Sequence, residues 1–208
     1  MRRPAIGIDF GTTNTVTALA GDDGHARLVS FAHDNEPVVA FRSALSFHAP
    51  PEDPRDRAVE AGPWAIDAYV EEPLETRFIQ SFKTYAASPL FVHTNVLGRW
   101  FRFEDLLSAF LVRMRHYGGA DMAEMPKRLI VGRPVTFAGR QPDPALALSR
   151  YETAFRRLGW HRLRHVQLLC TSPPRVSIRD RSRRRRIAWA GKACRRTNRR
   201  RSNGRASA

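Results

Sequence analysis

The residues best suited to chemistry lie near the N-terminus, in the run Ile-Gly-Ile-Asp-Phe-Gly-Thr-Thr-Asn-Thr at 6–15. A short apolar strand ends here with one carboxylate, Asp9, and a glycine then leads into Thr12 and Thr13. A tight turn exposes successive backbone N–H groups, which together with threonine hydroxyls can bind a polyphosphate. A carboxylate at the end of a strand can hold Mg²⁺ directly or through its water ligands. The pattern predicts a site for nucleotide phosphate and magnesium.

A strand, a turn and a second strand must position these groups. Ala5 to Phe10 has strand-like apolar content, and the β-branched stretch from Thr15 to Leu19 can return as its antiparallel partner. Gly11 between them can adopt backbone angles that are closed to other residues. The run matches neither G-x-x-x-x-G-K-[ST] nor G-x-G-x-x-G, and a strand rather than a helix follows it. The sequence therefore predicts a phosphate-binding β-hairpin.

The order Asp-Phe-Gly-Thr-Thr-Asn after a buried strand resembles the first phosphate motif of the actin-like ATPase superfamily. Its Thr-Thr-Asn ending is most similar to the 70-kDa heat-shock chaperone family, in particular to lidless bacterial members. The resemblance implies that the nucleotide is ATP and that its phosphates bind Gly11, Thr12, Thr13 and Asn14. It also implies that Asp9 holds Mg²⁺, through water, and serves catalysis.

Lys83, in the segment Ser-Phe-Lys-Thr at 81–84, is one of only three lysines among thirty-five basic residues. The lidless relatives have a similar Ser-x-Lys-Ser/Thr segment, so the resemblance implies that Lys83 orients the attacking water at the γ-phosphate. A solvated surface lysine is the alternative interpretation. A further similarity is Val-Gly-Arg-Pro-Val at 131–135, where Arg133 is interpreted as structural.

The remaining elements follow from periodicity and turn residues. Apolar residues at spacings of three and four predict two amphipathic helices, and Gly118-Gly119 is expected to stop the first of them. The segment at 75–85 fits either a strand or a helix. Further predicted elements are strands at 25–32, 37–47, 127–133 and 165–169, an exposed loop at 49–57, a helical or irregular segment at 59–69, and helices at 103–117 and 144–158.

This order of elements resembles the ribonuclease-H-like lobe on which the actin-like superfamily is built. We therefore expect an α/β fold in which 1–36 and 103–169 form the lobe and 37–102 is inserted as a small subdomain. The basic, Ser-rich sequence at 170–208 is expected to be a disordered tail.

Members of the superfamily bind nucleotide between two such lobes, whereas this sequence contains one. The second phosphate motif, Asp-x-Gly-Gly-Gly-Thr, is absent from it, as are the adenosine-binding segment and the peptide-binding domain. Phosphoryl transfer requires fully assembled positioning and charge stabilisation. We expect a truncated protein that binds ATP weakly and is not a competent ATPase or chaperone alone. Unfolded polypeptide or a co-chaperone is the partner implied by the resemblance.

The net charge of +15 is concentrated towards the C-terminus. From Cys170 onward fourteen basic residues face one acid, Asp180, whereas residues 1–169 carry twenty-one basic and nineteen acidic side chains. The arginine runs at 181–186 and 199–201 indicate an alternative function, a nucleic-acid-binding arm whose affinity falls as salt rises. Any segment of this charge binds RNA non-specifically.

A third interpretation is that the tail is the product of a reading-frame shift near codon 169, where resemblance, charge balance and apolar periodicity stop together. The codons for Leu169 to Arg175, regrouped from the third base of the leucine codon, can spell Leu-Tyr-Glu-Pro-Ala-Ala. That sequence resembles the start of the family's next helix. The coding DNA tests this, because the frame one base away should encode the Asp-x-Gly-Gly-Gly-Thr strand shortly downstream.

The remaining composition excludes several classes of protein. Both cysteines, Cys170 and Cys194, lie in or beside the basic region, which excludes a disulfide framework and a zinc-knuckle spacing. Asp9 interrupts the apolar run near the N-terminus, so no signal peptide is predicted. No stretch approaches the roughly eighteen apolar residues of a membrane span. We expect a cytoplasmic protein with no membrane partner.

Overall fold

The computed structural model describes residues 5–21, 23–48, 59–124, 126, 128–134, 137, 141–159 and 166–171. For 133–134 and 166–171 only the backbone is described. Within these ranges the chain is a mixed α/β protein with several small sheets and four α-helices, which confirms the predicted α/β class. The predicted loop at 49–57 and almost all of the predicted tail lie outside the described residues.

The elements have the following bounds. The strands are β1 (Ala5–Phe10), β2 (Asn14–Ala20), β3 (Ala26–Leu28), β4 (Phe31–His33), β5 (Glu36–Val38), β6 (Phe41–Arg42), β7 (Ala44–His48), β8 (Val59–Ala61), β9 (Thr76–Gln80), β10 (Thr94–Val96), β11 (Arg99–Phe101), β12 (Arg128–Pro134) and β13 (Val166–Thr171). The helices are α1 (Pro63–Glu71), α2 (Phe103–Tyr117), α3 (Gly119–Ala123) and α4 (Pro144–Arg157), and a 3₁₀ turn spans Phe82–Tyr85.

The main sheet has the strand order β13-β12-β1-β2-β3, and β6 pairs with the start of β2. β1, β12 and β13 run parallel, whereas β2 and β3 are antiparallel to their neighbours. The carboxyl ends of the three parallel strands therefore meet at one edge, where Asp9 lies beside Gly132. The turn between β1 and β2 leaves the sheet at this same edge.

One face of the main sheet carries the core. Alternation along β1 sends Ile6, Ile8 and Phe10 to this face, and all three are buried. Helices α2 and α4 cover it, since the Phe10 ring centroid lies 5.5 Å from that of Phe110 and 6.1 Å from that of Tyr151. The Phe10 side chain thus fixes the carboxyl end of β1 against both helices.

The opposite face of the main sheet is only half-buried within the described residues. Gly7 lies at its centre, between Ile130 of β12 and Ala18 of β2. Asp9 and Val16 form the next row towards the carboxyl edge and have the same intermediate burial. No described helix packs on this side as α2 and α4 do on the other.

Two smaller units follow β6. A three-stranded antiparallel sheet has the order β8-β7-β9, and α1 packs against it. β10 and β11 form a separate hairpin, which joins the body through Phe101, 5.0 Å from Phe47 between ring centroids. Trp64 of α1 stacks on Tyr117 of α2 at 3.5 Å with an interplanar angle of 1°, which ties the small sheet to the helical layer.

The prediction of helix 103–117 is confirmed with the same bounds, and α4 begins at Pro144 as predicted, after the N-cap Asp143. The ambiguous segment at 75–85 is a strand followed by a 3₁₀ turn. Gly118 and Gly119 end α2, but the chain then forms the short helix α3, which the sequence did not predict.

The prediction of one strand at 25–32 is wrong, since the chain there forms β3 in the main sheet and β4 in a hairpin with β5. Val29 lies between them, fully buried, with its amide bonded to the Thr17 carbonyl at 2.8 Å. Phe31 then turns onto Phe41, 4.7 Å away between ring centroids. The pairing with β2 thus continues to Val29, and the chain leaves the main sheet before Phe31.

Two other predicted boundaries differ from the structure. The predicted strand at 37–47 is divided among β5, β6 and β7, after a turn at Asp34 and Asn35 with positive φ angles of 51° and 62°. At the other end of the chain, β13 runs to Thr171 instead of Leu169, because its pairing with β12 continues to Pro134.

Candidate functional site

The turn between β1 and β2 is closed by a hydrogen bond from the Gly11 amide to the Asn14 carbonyl, 3.0 Å long. A Cβ atom at residue 11 would lie 2.2 Å from the same oxygen. The φ angle of Gly11 is not positive. Glycine is therefore needed here because a backbone atom approaches closely, and the expectation of a special backbone angle is wrong.

Thr12 and Thr13 form the exposed tip of the turn. Within the described ranges no acceptor is found for either amide N–H, and neither hydroxyl has a partner. The tip therefore offers two backbone donors and two hydroxyls, which is the set of groups that the sequence predicted for binding phosphate.

Ser43, which sequence analysis missed, holds the turn from the side. Its amide donates to the Thr13 carbonyl at 2.8 Å, and its hydroxyl donates to the Gly11 carbonyl at 2.8 Å. The same hydroxyl lies 2.9 Å from Thr15 Oγ1, and both side chains are buried. These contacts satisfy the Gly11 and Thr13 carbonyls and leave the amides and hydroxyls of the tip as free donors, which suits an anion.

Arg42, immediately before Ser43, is the second residue that sequence analysis missed. It pairs with Asn14 across β6 and β2, and its Nη1 lies 3.4 Å from Asn14 Oδ1. No carboxylate forms an ion pair with Arg42 within the part of the chain that the structure describes. A guanidinium beside the tip can bind phosphate oxygens in bidentate fashion.

Lys83 reaches the same edge from the 3₁₀ turn. Its Nζ donates to the Phe10 carbonyl and lies 5.3 Å from the centroid of the Phe10 ring. Burial lowers the pKa of the Lys83 ammonium, while the negative charge of Asp9 opposes that shift. The structure thus brings Lys83 and Asp9 together, and Lys83 is half-buried instead of solvated.

The 3₁₀ turn is anchored by Phe82, which is fully buried. Its ring centroid lies 5.5 Å from that of Phe10 and 5.8 Å from that of Phe110. Ser81 before it has a φ of 55°, the left-handed conformation that reverses the chain after β9. No local signal in the sequence indicates this geometry, since it depends on the core contacts of Phe82.

The groups at this edge could hold Mg²⁺ only together with a bound ligand that supplies further oxygen atoms, such as a phosphate. No group of three or more His, Cys, Asp or Glu side chains comes together among the described residues in a way that could hold a metal ion. Mg²⁺ is commonly held by one or two carboxylates together with substrate phosphates and water. Asp9 at the end of β1 can supply one such carboxylate, beside the donors of the tip.

The other site residues and segments predicted from the sequence lie almost entirely outside the residues that the structure describes. The arginine runs at 181–186 and 199–201 are not among the described residues. Nor is the region proposed to follow a frame shift, apart from Cys170 and Thr171 in β13, and for Arg133 only the backbone is described. None of the helices in the described ranges combines the length and the apolar content of a membrane span. No protein-family model matches the sequence.

Proposed function

We propose that the chain is an ATP-binding protein of the 70-kDa heat-shock chaperone family, with its phosphate site at the turn between β1 and β2. The observation that carries the proposal is the exposed tip at Thr12 and Thr13, whose free donors lie next to Asp9 at the carboxyl edge of a parallel strand. Ligands of open α/β sheets bind outside the carboxyl ends of the strands. The resemblance of the motif at 6–15 supplies the identity of the ligand.

The sheet topology supports this proposal. Three parallel strands, β13-β12-β1, continued by the antiparallel β2 and β3, with α2 and α4 on one face, are what a ribonuclease-H-like lobe requires. The small sheet of β7, β8 and β9 and the β10–β11 hairpin then correspond to the inserted subdomain at 37–102. The half-buried opposite face is the face that the final helix of such a lobe would cover.

Each residue of the site has a role in the proposed binding mode. The amides and hydroxyls of Thr12 and Thr13 donate to the terminal phosphates, and Asp9 holds Mg²⁺ through water. The Lys83 ammonium, which donates to the Phe10 carbonyl and feels the charge of Asp9, would orient the attacking water. With the ligands of one lobe alone, the charge of a transferring phosphoryl group is only partly stabilised, so binding without turnover is the proposed activity.

Titration calorimetry with Mg-ATP tests the proposal. We expect a dissociation constant weaker than about 10 μM, since one hairpin supplies few contacts. The basic residues after 171 attract any polyanion, so the informative quantity is the difference between the wild type and Asp9→Asn at raised salt. Asp23→Asn, which removes a carboxylate from the turn after β2, is the matched control and should bind as the wild type does.

Three results would contradict the proposal in different ways. Equal affinity of the wild type and Asp9→Asn, at every salt concentration, would show that ATP binds only through the basic segment. A dissociation constant below about 10 μM would contradict weak binding. Steady ATP hydrolysis that Asp9→Asn abolishes would show that the single lobe is catalytically competent. A nucleic-acid-binding arm is the alternative function, and a preference among RNAs for one sequence or structure would favour it.

A further inference from the structure

One guanidinium group binds most of the segment that follows Lys83. Arg150, in the second turn of α4, donates through Nη1 and Nη2 to four backbone carbonyls within residues 85–91. The acceptors and distances are Tyr85 at 2.9 Å, Ala86 at 3.1 Å, Ser88 at 3.1 Å and Phe91 at 2.5 Å.

The N-terminus of α4 binds the same segment at a fifth point. The Asp143 amide donates to the Ala87 carbonyl at 2.8 Å. The Asp143 carboxylate caps α4 by accepting from the amides of Ala145 and Leu146, at 2.9 and 3.0 Å. The helix end that carries Arg150 is therefore itself fixed in position.

The segment is otherwise held by ring contacts and short turns, since Tyr85 stacks on Phe91 at 4.8 Å between ring centroids and Phe91 packs against the core. Its internal bonds are isolated turns, such as Ala86 to the Lys83 carbonyl at 3.1 Å and Ser88 to the Tyr85 carbonyl at 3.1 Å. Ala86 and Ala87 are fully buried, so carbonyls here need partners from within the protein. Arginine suits this task because its planar group carries five N–H donors.

Arg150 is committed to these carbonyls instead of to an acid. No ion pair involves it within the described residues, although the charges of Glu104 and Asp143 lie near enough to act on it. Burial lowers the pKa of the Arg150 guanidinium, and those two carboxylates oppose the shift. A cation that is half-desolvated without a paired carboxylate is costly, and it is stabilised here by its backbone acceptors.

We propose that Arg150 is a positioning residue for Lys83. It fixes residues 85–91 against α4 and so holds the Lys83 ammonium against the Phe10 carbonyl, beside Asp9. The role of the ammonium at a phosphate rests on the proposed function, whereas its placement by Arg150 does not.

Two constraints act on Lys83 from opposite sides. Upstream, β9 pairs with β7 up to Gln80 opposite Ala44, and Ser81 reverses the chain. Downstream, Arg150 holds the carbonyls from Tyr85 onward. A desolvated ammonium gains hydration if it moves outward, so the inward position of Lys83 depends on these two constraints together with the buried ring of Phe82.

Competitive acetylation followed by mass spectrometry tests the proposal on the full-length protein without nucleotide. The chain has three lysines, so Lys127 and Lys192 serve as reference amines in every sample. The pH profile of each lysine yields an apparent pKa and a limiting rate constant. In the wild type we expect a low apparent pKa and a slow limiting rate for Lys83.

In Arg150→Ala, we expect the apparent pKa of Lys83 to rise towards the ordinary lysine value. Its limiting rate should increase at least about ten-fold, the factor by which the loss of even one of the four charged hydrogen bonds would shift the equilibrium between the inward and outward positions of Lys83. Arg150→Lys keeps the positive charge but loses the planar guanidinium and its several N–H donors. It should restore only part of the wild-type profile. The matched control is Arg157→Ala, which removes another arginine of α4, one paired with Asp105, and should leave the Lys83 profile unchanged.

Three results would overturn the inference. One is an unchanged Lys83 profile in a folded Arg150→Ala, and another is a change of similar size in Arg157→Ala. If Arg150→Ala does not fold, a wild-type profile for Lys83 in both Arg150→Lys and Arg150→Gln would also overturn it. A wild type that fails to bind Mg-ATP would contradict the proposed function and leave the labelling result valid.

Discussion

The Asn14 carbonyl oxygen lies 3.0 Å from the Gly11 amide nitrogen and would lie 2.2 Å from a Cβ on residue 11. A side chain cannot be accommodated at that distance, because the obstacle is backbone and not the end of a flexible side chain. The shape of the tip at Thr12 and Thr13 therefore depends on the absence of one methyl group.

Gly11→Ala should force the tip open and cost about 1–3 kcal/mol of unfolding free energy, as overpacking of a close contact does. Mg-ATP binding should be lost as well, because the donors of Thr12 and Thr13 move apart. Gly7→Ala, in the preceding strand β1, is the matched control, since its Cβ would lie 4.0 Å from the Ala18 carbonyl. Chemical denaturation and calorimetry measure both effects, and equal stability of the two variants would contradict the steric argument.

Lys83→Met should stabilise the protein at pH 7 while weakening ATP binding at the proposed phosphate site. Burial lowers the pKa of Lys83 in the folded state, so between that pKa and the ordinary value of about 10.5 the unfolded state binds more protons. The stability of the wild type should therefore rise with pH through this window, and the advantage of Lys83→Met should shrink.

Thermal melts of the wild type and Lys83→Met between pH 7 and about pH 9.5 measure this difference. The upper limit of pH keeps the titration of Tyr117 out of the comparison. Burial and then Glu60 raise the pKa of Tyr117 in the folded state to about 12, above its unfolded value, so Tyr117 would change the stability of both proteins at higher pH. A difference between the two proteins that does not depend on pH would show that Lys83 titrates normally.

Glu60→Gln should be among the more destabilising single changes on the half-buried surface. The Glu60 carboxylate accepts from Arg113 Nη2 at 2.6 Å and also from the Tyr117 hydroxyl. Burial alone would lower the pKa of Arg113, but Glu60 raises it above its usual range. Loss of the carboxylate leaves a half-buried cation without its partner, and we expect a cost of about 2 kcal/mol.

The matched control for Glu60→Gln is Asp121→Asn, which breaks the ion pair with Arg27. That arginine side chain is 62% exposed, so we expect a cost below about 1 kcal/mol. Denaturant melts of both variants give the comparison. An equal cost for the two changes would show that burial does not govern the strength of these pairs.

The half-buried face of the main sheet should make the protein prone to association. Ile130 and Ala18 lie on either side of Gly7 on this face, and Gly7 has no side chain to fill the space between them. An apolar sheet face that is only partly shielded from solvent favours association. Ala18→Lys should reduce light scattering at raised concentration and leave the melting temperature within a few degrees of the wild type.

Leu19→Lys is the contrasting change, one position further along β2 on the buried face. It should prevent folding, because an unpaired charge would enter the core. A wild type that stays monomeric at raised concentration, with a cooperative melt at about 45–65 °C, would contradict the idea of an uncovered face.

Local patterns in the sequence determined the elements that are formed by contacts between residues near one another in the sequence. The spacing of Phe103, Leu106 and Phe110 sets one helical face, and the structure has helix 103–117 with those bounds. The hairpin of β1 and β2 is also confirmed, since alternation and a short turn specify it within twenty residues. The site residues from Asp9 to Asn14 lie on this hairpin and could be proposed from the motif alone.

Only the tertiary structure decided which distant residues complete the site. Ser43 and Arg42 reach the tip through the pairing of β6 with β2, and nothing in their neighbourhood in the sequence signals it. The position of Lys83 depends on Phe82 in the core and on Arg150, which lies 67 positions further along the chain. Periodicity reports the face that a local segment buries, whereas these contacts arise when separate segments pack, so no local pattern encodes them.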